Sequence, residues 1–221
     1  MKSNVDLDAI SDGRIYDIND MVKTDTGGCS GCNSCCHGVG EMVVLNPFDV
    51  HELTHHLNLS LDDLLVDRLE LRPDCKLLMP HLKMQNNQEW CVFLNAEGRC
   101  SIHSCRPDIC RLFPLGRVYT QDDFKYFLQS DACAKPALTK IKVKKWIGIP
   151  NHPEHKAFLL AWYQVIKALT FRVKFVRDAD ELKSLNADIL DTFYRIPPES
   201  DDYYAEFFKR LPEAKNRLGI I

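Results

Sequence analysis

Apolar residues recur at helical spacing in several segments of the chain. Asn46 and Pro47 provide an N-cap followed by a proline in the first turn, so we predict a helix that begins there and ends near Leu57. Ser60 caps a second predicted helix, whose apolar stripe extends to Leu69. Longer amphipathic patterns near the end of the chain predict three more helices, at 151–176, 180–194 and 201–211.

Strand patterns are shorter and lie mainly in the middle of the chain. Candidate strands lie at 41–45, 76–79, 89–94, 118–119 and 124–128, the last two forming a hairpin. Arg106 and Pro107 begin a brief predicted helix that ends near Leu112. Residues 1–28 show little periodicity, so we expect a loose lead-in there.

Cysteine is concentrated in one short loop between these elements. Four of the ten cysteines lie within eight residues, at Cys29, Cys32, Cys35 and Cys36. Several glycines in the same loop let the backbone turn tightly and direct its N–H groups toward sulfur. This crowding predicts a bound metal ion or an iron–sulfur cluster, because metal-bound thiolates carry negative charge that such N–H groups stabilise.

These patterns predict an α+β fold that is mainly helical. We divide the chain into an N-terminal lead-in, 1–28, a cysteine domain, 29–135, and a helical C-terminal half, 136–221. The cysteine domain is rich in loops and its strands are short. We therefore expect metal ions to organise it and to contribute folding energy directly.

Composition and charge indicate the compartment, the redox state of the thiols and the partners to expect. The N-terminus is polar and lacks the apolar core of a signal peptide, and the chain holds no apolar run long enough to span a membrane. We therefore expect a cytoplasmic protein with reduced thiols rather than a disulfide framework. The net charge of −3 gives no reason to expect nucleic acid as a partner, and we interpret the lysine-rich stretch 135–145 as a solvated face.

The spacing of the thiols leaves two kinds of metal centre open. Three cysteines in C-x2-C-x2-C spacing, as at Cys29, Cys32 and Cys35, are typical of bacterial ferredoxins, which add a remote fourth ligand. Zinc sites also use C-x2-C but normally finish with a distant second pair. Cys36 directly follows Cys35, and side chains of neighbouring residues tend to diverge. Cys36 therefore indicates either a second metal centre close to the first or a thiol that does not bind the metal directly. We favour an iron–sulfur cluster over zinc.

Arginine and histidine residues accompany the remaining cysteines. Arg99, Arg106 and Arg111 each lie beside a cysteine, where they can offset thiolate charge or be ordinary surface residues. His37 and His103 lie within three residues of a candidate thiol. We expect both histidines to be hydrogen-bonded neighbours of the site rather than ligands.

Several motifs occur in the order found in a known family. They are Cys29-x2-Cys32-x2-Cys35-Cys36, Cys91-Val-Phe-Leu, Arg99-Cys100-Ser-Ile-His103, Arg106-Pro107-x2-Cys110-Arg111-x-Phe113-Pro114 and Cys133. Together they resemble the CxxCxxCC cysteine-cluster family, also called YkgJ-like, whose members are described as zinc- or iron-chelating. The resemblance covers roughly residues 26–135. It implies eight metal-ligand cysteines, namely Cys29, Cys32, Cys35, Cys36, Cys91, Cys100, Cys110 and Cys133.

Two cysteines depart from the family pattern, and the resemblance says little about a substrate. Cys75 and Cys105 fall outside the family pattern, and we interpret both as small buried apolar residues. Flagellin lysine N-methyltransferases carry a similar domain, which makes a protein-modifying enzyme a weaker alternative. The C-terminal helices carry no motif that points to a substrate.

A competing motif occurs in the helix that follows Pro47. His51-Glu-Leu-Thr-His55 matches the H-E-x-x-H zinc-hydrolase motif, but only Glu70 is available as a third ligand. We interpret His51, His55 and His56 as surface residues. The function we predict is metal binding, preferably of an iron–sulfur cluster, with a redox partner or a protein substrate. A zinc-binding structural or sequestering module is the alternative, and whether the protein is an enzyme stays open.

Overall fold

The computed structural model describes residues 7–27, 32–39, 42–85, 89–137, 139–197, 200 and 202–220. It confirms an α+β fold with small sheets and a helical C-terminal half. The helices are α1 (Leu7–Ile10), α2 (Pro47–Leu57), α3 (Leu61–Asp67), α4 (Asp108–Leu112), α5 (Val143–Ile147), α6 (His152–Arg172), α7 (Ala179–Leu190) and α8 (Tyr203–Arg217). The strands are β1 (Ser11–Tyr16), β2 (Met21–Asp25), β3 (Leu69–Asp74), β4 (Leu77–Leu82), β5 (Met84–Gln85), β6 (Trp90–Cys91), β7 (Leu115–Tyr119), β8 (Phe124–Gln129) and β9 (Thr139–Lys142).

The chain forms two compact units, each assembled from two separate stretches of sequence. We call Met1–Val43 with Met84–His152 the cysteine unit, and Val44–Lys83 with Pro153–Ile221 the helical unit. Among the described cysteines, Cys75 is the one that belongs to the helical unit. In the described part of the chain, no helix is both long and apolar enough to cross a lipid bilayer.

In the described residues, the cysteine unit contains three small antiparallel sheets. The largest has the strand order β1-β8-β7, with Tyr16 opposite Tyr126 and Leu115 opposite Leu128. Strand β2 pairs with β9, and β5 pairs with β6. The indole Nε1 of Trp146 in α5 donates to the carbonyl oxygen of Phe113 at 3.1 Å, which ties α5 to the end of α4.

A buried ion pair joins α4 to the sheet. Arg117 of β7 donates from Nη2 to Oδ1 of Asp108 at 2.7 Å and from Nη1 to the other carboxylate oxygen. The two side chains are only 9% and 6% exposed. The guanidinium also lies over the rings of Phe124 and Tyr126, at 5.2 and 5.8 Å from their centroids. These contacts compensate both charges for their loss of water.

The helical unit is built around an aromatic cluster. Phe48 of α2 stacks on Tyr204 of α8 at 5.2 Å between ring centroids, and Phe158 of α6 meets Phe207 edge to face at 4.8 Å. The hydroxyl of Tyr194 donates to the carbonyl oxygen of Leu45 at 3.0 Å. The ring contacts join α2, α6 and α8, and the Tyr194 hydrogen bond joins the segment after α7 to the start of α2.

The hairpin of β3 and β4 packs against α7 through one amide side chain. Asn186 accepts a hydrogen bond from the Leu78 amide at 2.7 Å and donates to the Lys76 carbonyl oxygen at 3.2 Å. The hairpin turn lies at Cys75 and Lys76, both with positive φ. Asn186 therefore satisfies polar backbone groups next to this strained turn.

Helix starts predicted from capping residues agree with the structure. Asn46 and Ser60 form capping boxes, accepting hydrogen bonds from the amides of Asp49 and Asp63. Helix ends agree less well, since α6 ends at Arg172 and α8 continues to Arg217. The segment after α7, Asp191–Arg195, forms a single π-helical turn.

Other expectations from the sequence were wrong. Part of the expected loose lead-in forms β1 and β2, which pair with strands more than a hundred residues later. Leu69 belongs to β3 rather than to the second helix, and the strand expected at 89–94 is limited to Trp90–Cys91. In the strand expected at 41–45, Val44 forms an isolated bridge with His81, while Glu41 lies outside the described residues.

Replacing Asp108 by Asn is expected to destabilise the protein strongly. The substitution leaves the Arg117 charge buried without its counter-ion, which costs on the order of 3–5 kcal/mol. Urea denaturation measures the change. Lys125→Gln is the control, because the ion pair of Lys125 in β8 with Asp17 is exposed and its loss should change the stability only slightly. An equal decrease in the free energy of unfolding for both variants would contradict the conclusion that the buried pair contributes more to stability than the exposed one.

Candidate metal centre

A short 3-10 turn, Ser34–Cys36, carries two of the candidate ligands. The Cys36 amide donates to the Asn33 carbonyl oxygen at 2.8 Å and closes the turn. Just after it, His37 forms an antiparallel bridge with Trp90, and the Gly38 amide donates to the Glu89 carbonyl oxygen at 2.8 Å. In an antiparallel pair the residue before His37 faces the residue after Trp90. The bridge therefore brings Cys36 close to Cys91, whose charge raises the pKa of Cys36.

A second turn brings Cys100 back toward Cys91. Leu94 and Cys100 form an antiparallel bridge, and the Ser101 amide donates to the Phe93 carbonyl oxygen at 2.8 Å. Asn95 closes the turn by accepting a hydrogen bond from the Arg99 amide at 2.8 Å through its side chain. Cys91 and Cys100, nine positions apart in the sequence, are thus presented by the two ends of one hairpin-like loop.

Gly98 at the tip of this loop lies against the cysteine turn. Its φ is +68°, and a Cβ atom added there would lie 2.6 Å from Nδ2 of Asn33. Asn33 stands between Cys32 and Ser34. The loop therefore needs glycine both for its backbone conformation and for its close approach to the cysteine turn.

Electrostatic interactions link four thiols across these two loops. A hydrogen bond from Cys36 lowers the pKa of Cys35 to about 6, against the opposing effect of burial. The same hydrogen bond, burial, and the charges of Cys35, Cys91 and Cys100 raise the pKa of Cys36. Burial raises the pKa of Cys91 and of Cys100, although a backbone amide near each lowers it in part. Without metal, this group therefore holds one stabilised thiolate, on the exposed Cys35.

Of the three arginines beside cysteines, Arg106 acts on the thiols. Its positive charge lowers the pKa of Cys35 and of Cys100, in each case after larger contributions from hydrogen bonding and burial. Arg111 donates from Nε to the Arg106 carbonyl oxygen at 2.9 Å and from Nη2 to the Ser104 carbonyl oxygen, so it holds the backbone at Arg106. The side chain of Arg99 is exposed at the surface.

Helix α4 carries Cys110 next to the buried ion pair. Asp108 lies two residues before Cys110, and its bonds to Arg117 fix the first turn of α4. The sequence did not lead us to this pair. The available signal was an arginine within an apolar strand pattern, Leu115-Gly-Arg-Val, shortly after an aspartate that follows a proline. Charged residues in such settings are rarely buried unless they are paired.

The eight predicted ligands divide into three groups. Cys35, Cys36, Cys91 and Cys100 interact with one another, as described above. Cys32, Cys110 and Cys133 are half-buried, and Cys29 lies outside the described residues. Among the described residues, the cysteines form no disulfide bond with one another. In the described ranges, no three or more Cys, His, Asp or Glu side chains form a group that could hold a metal ion as they stand.

The chemistry of the residues nevertheless fits a thiolate-bound metal. Two loops from distant parts of the chain present four sulfur donors to one region. Nε of Arg106, whose charge acts on that region, is buried and has no hydrogen-bond partner in the described part of the chain. Negatively charged sulfur of a bound centre is the kind of acceptor that such a donor requires.

The two cysteines outside the family pattern differ from each other. Cys105 is buried, at 5% exposure, as expected for a small apolar residue. Cys75 was expected to be buried as well, and that prediction was wrong. It is exposed in the turn between β3 and β4, where its φ is +50°.

The histidines form no second metal site in the part of the chain that the structure describes. His55 and His56 are exposed, as expected, but His51 is half-buried and stacks on Tyr203 at 4.8 Å, so its interpretation as a surface residue was wrong. Glu70, the candidate third ligand, pairs with Arg72 at 2.8 Å. His37 meets the Trp90 ring edge to face at 5.6 Å, which supports a packing role beside the thiols.

Comparison with known proteins gives one match. The family model CxxCxxCC, described as a putative zinc- or iron-chelating domain, matches residues 28–134. No curated protein and no solved structure matches the chain. The matched segment contains all eight predicted ligand cysteines.

We predict a distinct pH profile for alkylation of Cys35 in metal-free protein. Thiolates react and thiols do not, so iodoacetamide labelling should rise through a midpoint near pH 6, the lowered pKa of Cys35, while Cys36 stays protonated. Arg106→Gln removes a positive charge that favours the thiolate and should shift the midpoint upward. Peptide mass spectrometry of the two labelled positions measures both effects.

Arg99→Gln is the matched control for this experiment. Arg99 is exposed, and its loss should leave the midpoint unchanged. An unchanged midpoint in Arg106→Gln would contradict the electrostatic role of Arg106.

Proposed function

We propose that this protein, whose residues 28–134 match the CxxCxxCC family of zinc- or iron-chelating domains, binds an iron–sulfur cluster through its clustered cysteines. The family supports metal binding as such. The choice of an iron–sulfur cluster rests on the unbroken C-x2-C-x2-C spacing from Cys29 to Cys35, which three irons of a four-iron cluster use in ferredoxins.

The observation that carries the proposal is the meeting of two cysteine loops. The charge of Cys35 raises the pKa of Cys36, Cys91 and Cys100, and the charges of Cys91 and Cys100 raise the pKa of Cys36, which supports a short separation between the two loops. We propose that binding deprotonates these thiols and draws them inward. The full ligand set is then Cys29, Cys32, Cys35, Cys36, Cys91, Cys100, Cys110 and Cys133.

Other residues of the cysteine unit would serve the bound centre. Arg106 offsets the negative charge that collects when several thiolates share one region, and Arg111 holds Arg106 in place. The ion pair of Asp108 with Arg117 fixes the helix that carries Cys110. We propose that the metal replaces part of an apolar core for these loops, so that 29–135 is a metal-organised domain.

A cluster at this site would supply one-electron redox chemistry. Cys35 is exposed, and solvent access is one of the factors that set cluster potentials. A ligand so close to the surface would bring the cluster within reach of a redox partner. Electron exchange with such a partner, or support of a protein-modifying reaction, is the role we propose.

Zinc is the second candidate, and one observation favours it. The linked group comprises four thiols, two from each loop, which is the donor set of a structural zinc site made entirely of cysteines. In that case the ion stabilises the loops and takes no part in redox chemistry.

Anaerobic purification followed by metal and sulfide analysis distinguishes these centres. We expect iron with a matching amount of acid-labile sulfide, and a brown protein that absorbs in the visible range. A colourless protein loaded with zinc and free of sulfide would contradict the cluster while supporting the second candidate. A protein that retains neither metal after reconstitution would contradict both.

Substitution of single cysteines tests the ligand set. Cys32→Ser and Cys36→Ser should each lower the metal content and destabilise the cysteine unit, because a ligand thiolate is lost. Cys75→Ser is the matched control, since Cys75 is exposed in the helical unit and should leave the metal content unchanged. Equal metal loss in Cys75→Ser and Cys36→Ser would overturn the assignment. Metal analysis and urea denaturation provide the two measurements.

A further inference from the structure

The helical unit contains a cavity of about 220 Å³. Its walls come from α2, the segment 59–61, the π-helical turn with the residues after it, and α8. All the lining residues lie within one unit, and none is a cysteine. The cavity is therefore separate from the thiol site.

Most of the cavity wall is apolar. The apolar part comes from Leu59, Leu61, Phe193, Ile196 and Phe207, together with the ring of Tyr203. Cavities of about 150 Å³ lined by such residues bind benzene. A volume of about 220 Å³ therefore admits a benzene ring with a short substituent.

Two basic groups stand on one part of this wall. His51 stacks on Tyr203, and burial, followed by the charges of His55 and Arg210, lowers its pKa. His51 is therefore neutral near pH 7, and its ring nitrogens make no hydrogen bond to the described residues. Arg210 donates to the carbonyl oxygens of Glu206 and Ile196 at 3.3 and 3.4 Å. Within the described ranges it forms no ion pair.

The other arginine in the lining is already neutralised. Arg195 binds Asp62 and Asp191 through its Nη2 and Nη1 atoms at 2.8 and 2.7 Å. Glu206, a buried carboxylate one helical turn before Arg210, pairs with Lys209 at 3.6 Å. Among the described lining residues, Arg210 is therefore the arginine without a carboxylate partner. Thr192, in the π-helical turn, also lines the cavity. Its hydroxyl oxygen is buried and has no hydrogen-bond partner among the residues the structure describes.

We propose that this cavity binds a small organic carboxylate with an apolar, ring-sized body. Arg210 holds the carboxylate by a charge-assisted hydrogen bond, His51 provides a further polar contact, and the apolar wall encloses the body. A phosphate is a poorer fit, because its higher charge calls for more cationic donors than Arg210 alone supplies. The π-helical turn fits this role, since such turns are frequent at functional sites.

The test uses full-length, metal-loaded protein and two probes of the same shape. One probe is 3-phenylpropionate and the other is its neutral amide, 3-phenylpropanamide. Titrations followed by ¹H–¹⁵N spectra give the dissociation constants and show which amides respond. We expect 3-phenylpropionate to bind more tightly than the amide and to shift signals of α2, α8 and the π-helical turn.

Variants identify the group that recognises the charge. Arg210→Gln should weaken binding of 3-phenylpropionate by about tenfold or more and leave binding of the amide unchanged. Lys209→Gln is the matched control, because Lys209 is exposed, pairs with Glu206 and does not line the cavity. It should leave both constants unchanged.

Filling the cavity tests the location of the site. Ala214→Leu places a larger side chain at the cavity wall and should abolish binding of both probes. Thermal unfolding verifies that this variant is folded, and if it is not, Arg210→Gln decides alone. Absence of shifts with both probes would overturn the proposal, as would equal binding of 3-phenylpropionate to wild type and Arg210→Gln. Metal content, measured on the same samples, reports on the thiol site separately.

Discussion

Asp108 and Arg117 form a buried ion pair that fixes the position of α4, the helix that carries Cys110. Two charges removed from water are tolerated only when each is fully paired, and here the bidentate contact is supported by two aromatic faces. This requirement locks α4 to β7 in one arrangement. The segment that runs from Arg106 to Cys110 is thereby held beside the sheet, with Arg106 directed toward the thiols whose pKa it lowers.

Local chemistry made part of this fold predictable from sequence. Capping residues act within one helical turn, so Asn46 and Ser60 mark helix starts correctly. The strands β1 and β2 could not be recognised in this way, because their partners β8 and β9 lie far along the chain. Leu69 continues an apolar stripe and yet begins a strand, since pairing with Leu82 outweighs its local preference.

In the candidate site, too, local features could be predicted from the sequence and long-range contacts could not. The spacing of the first four cysteines indicated metal chemistry, but it did not indicate which distant thiols Cys35 and Cys36 approach. That information lies in the register of His37 with Trp90 and in the tight turn at Gly98. Arg106 was one of three comparable arginines in the sequence. Backbone contacts of Arg111 and the exposure of Arg99 separate their roles, and both depend on tertiary structure.

The pairing of β2 with β9 has a consequence for synthesis of the chain. Met21 lies opposite Lys142. Strand β2 therefore cannot pair with β9 until the ribosome has synthesised more than a hundred further residues. The bridge between His37 and Trp90 spans a much shorter interval and can close earlier. The cysteine turn and the loop that carries Cys91 and Cys100 can therefore meet before β9, the partner of β2, has been synthesised. A metal ion that these thiols bound at that stage would be in place before β9 has been synthesised.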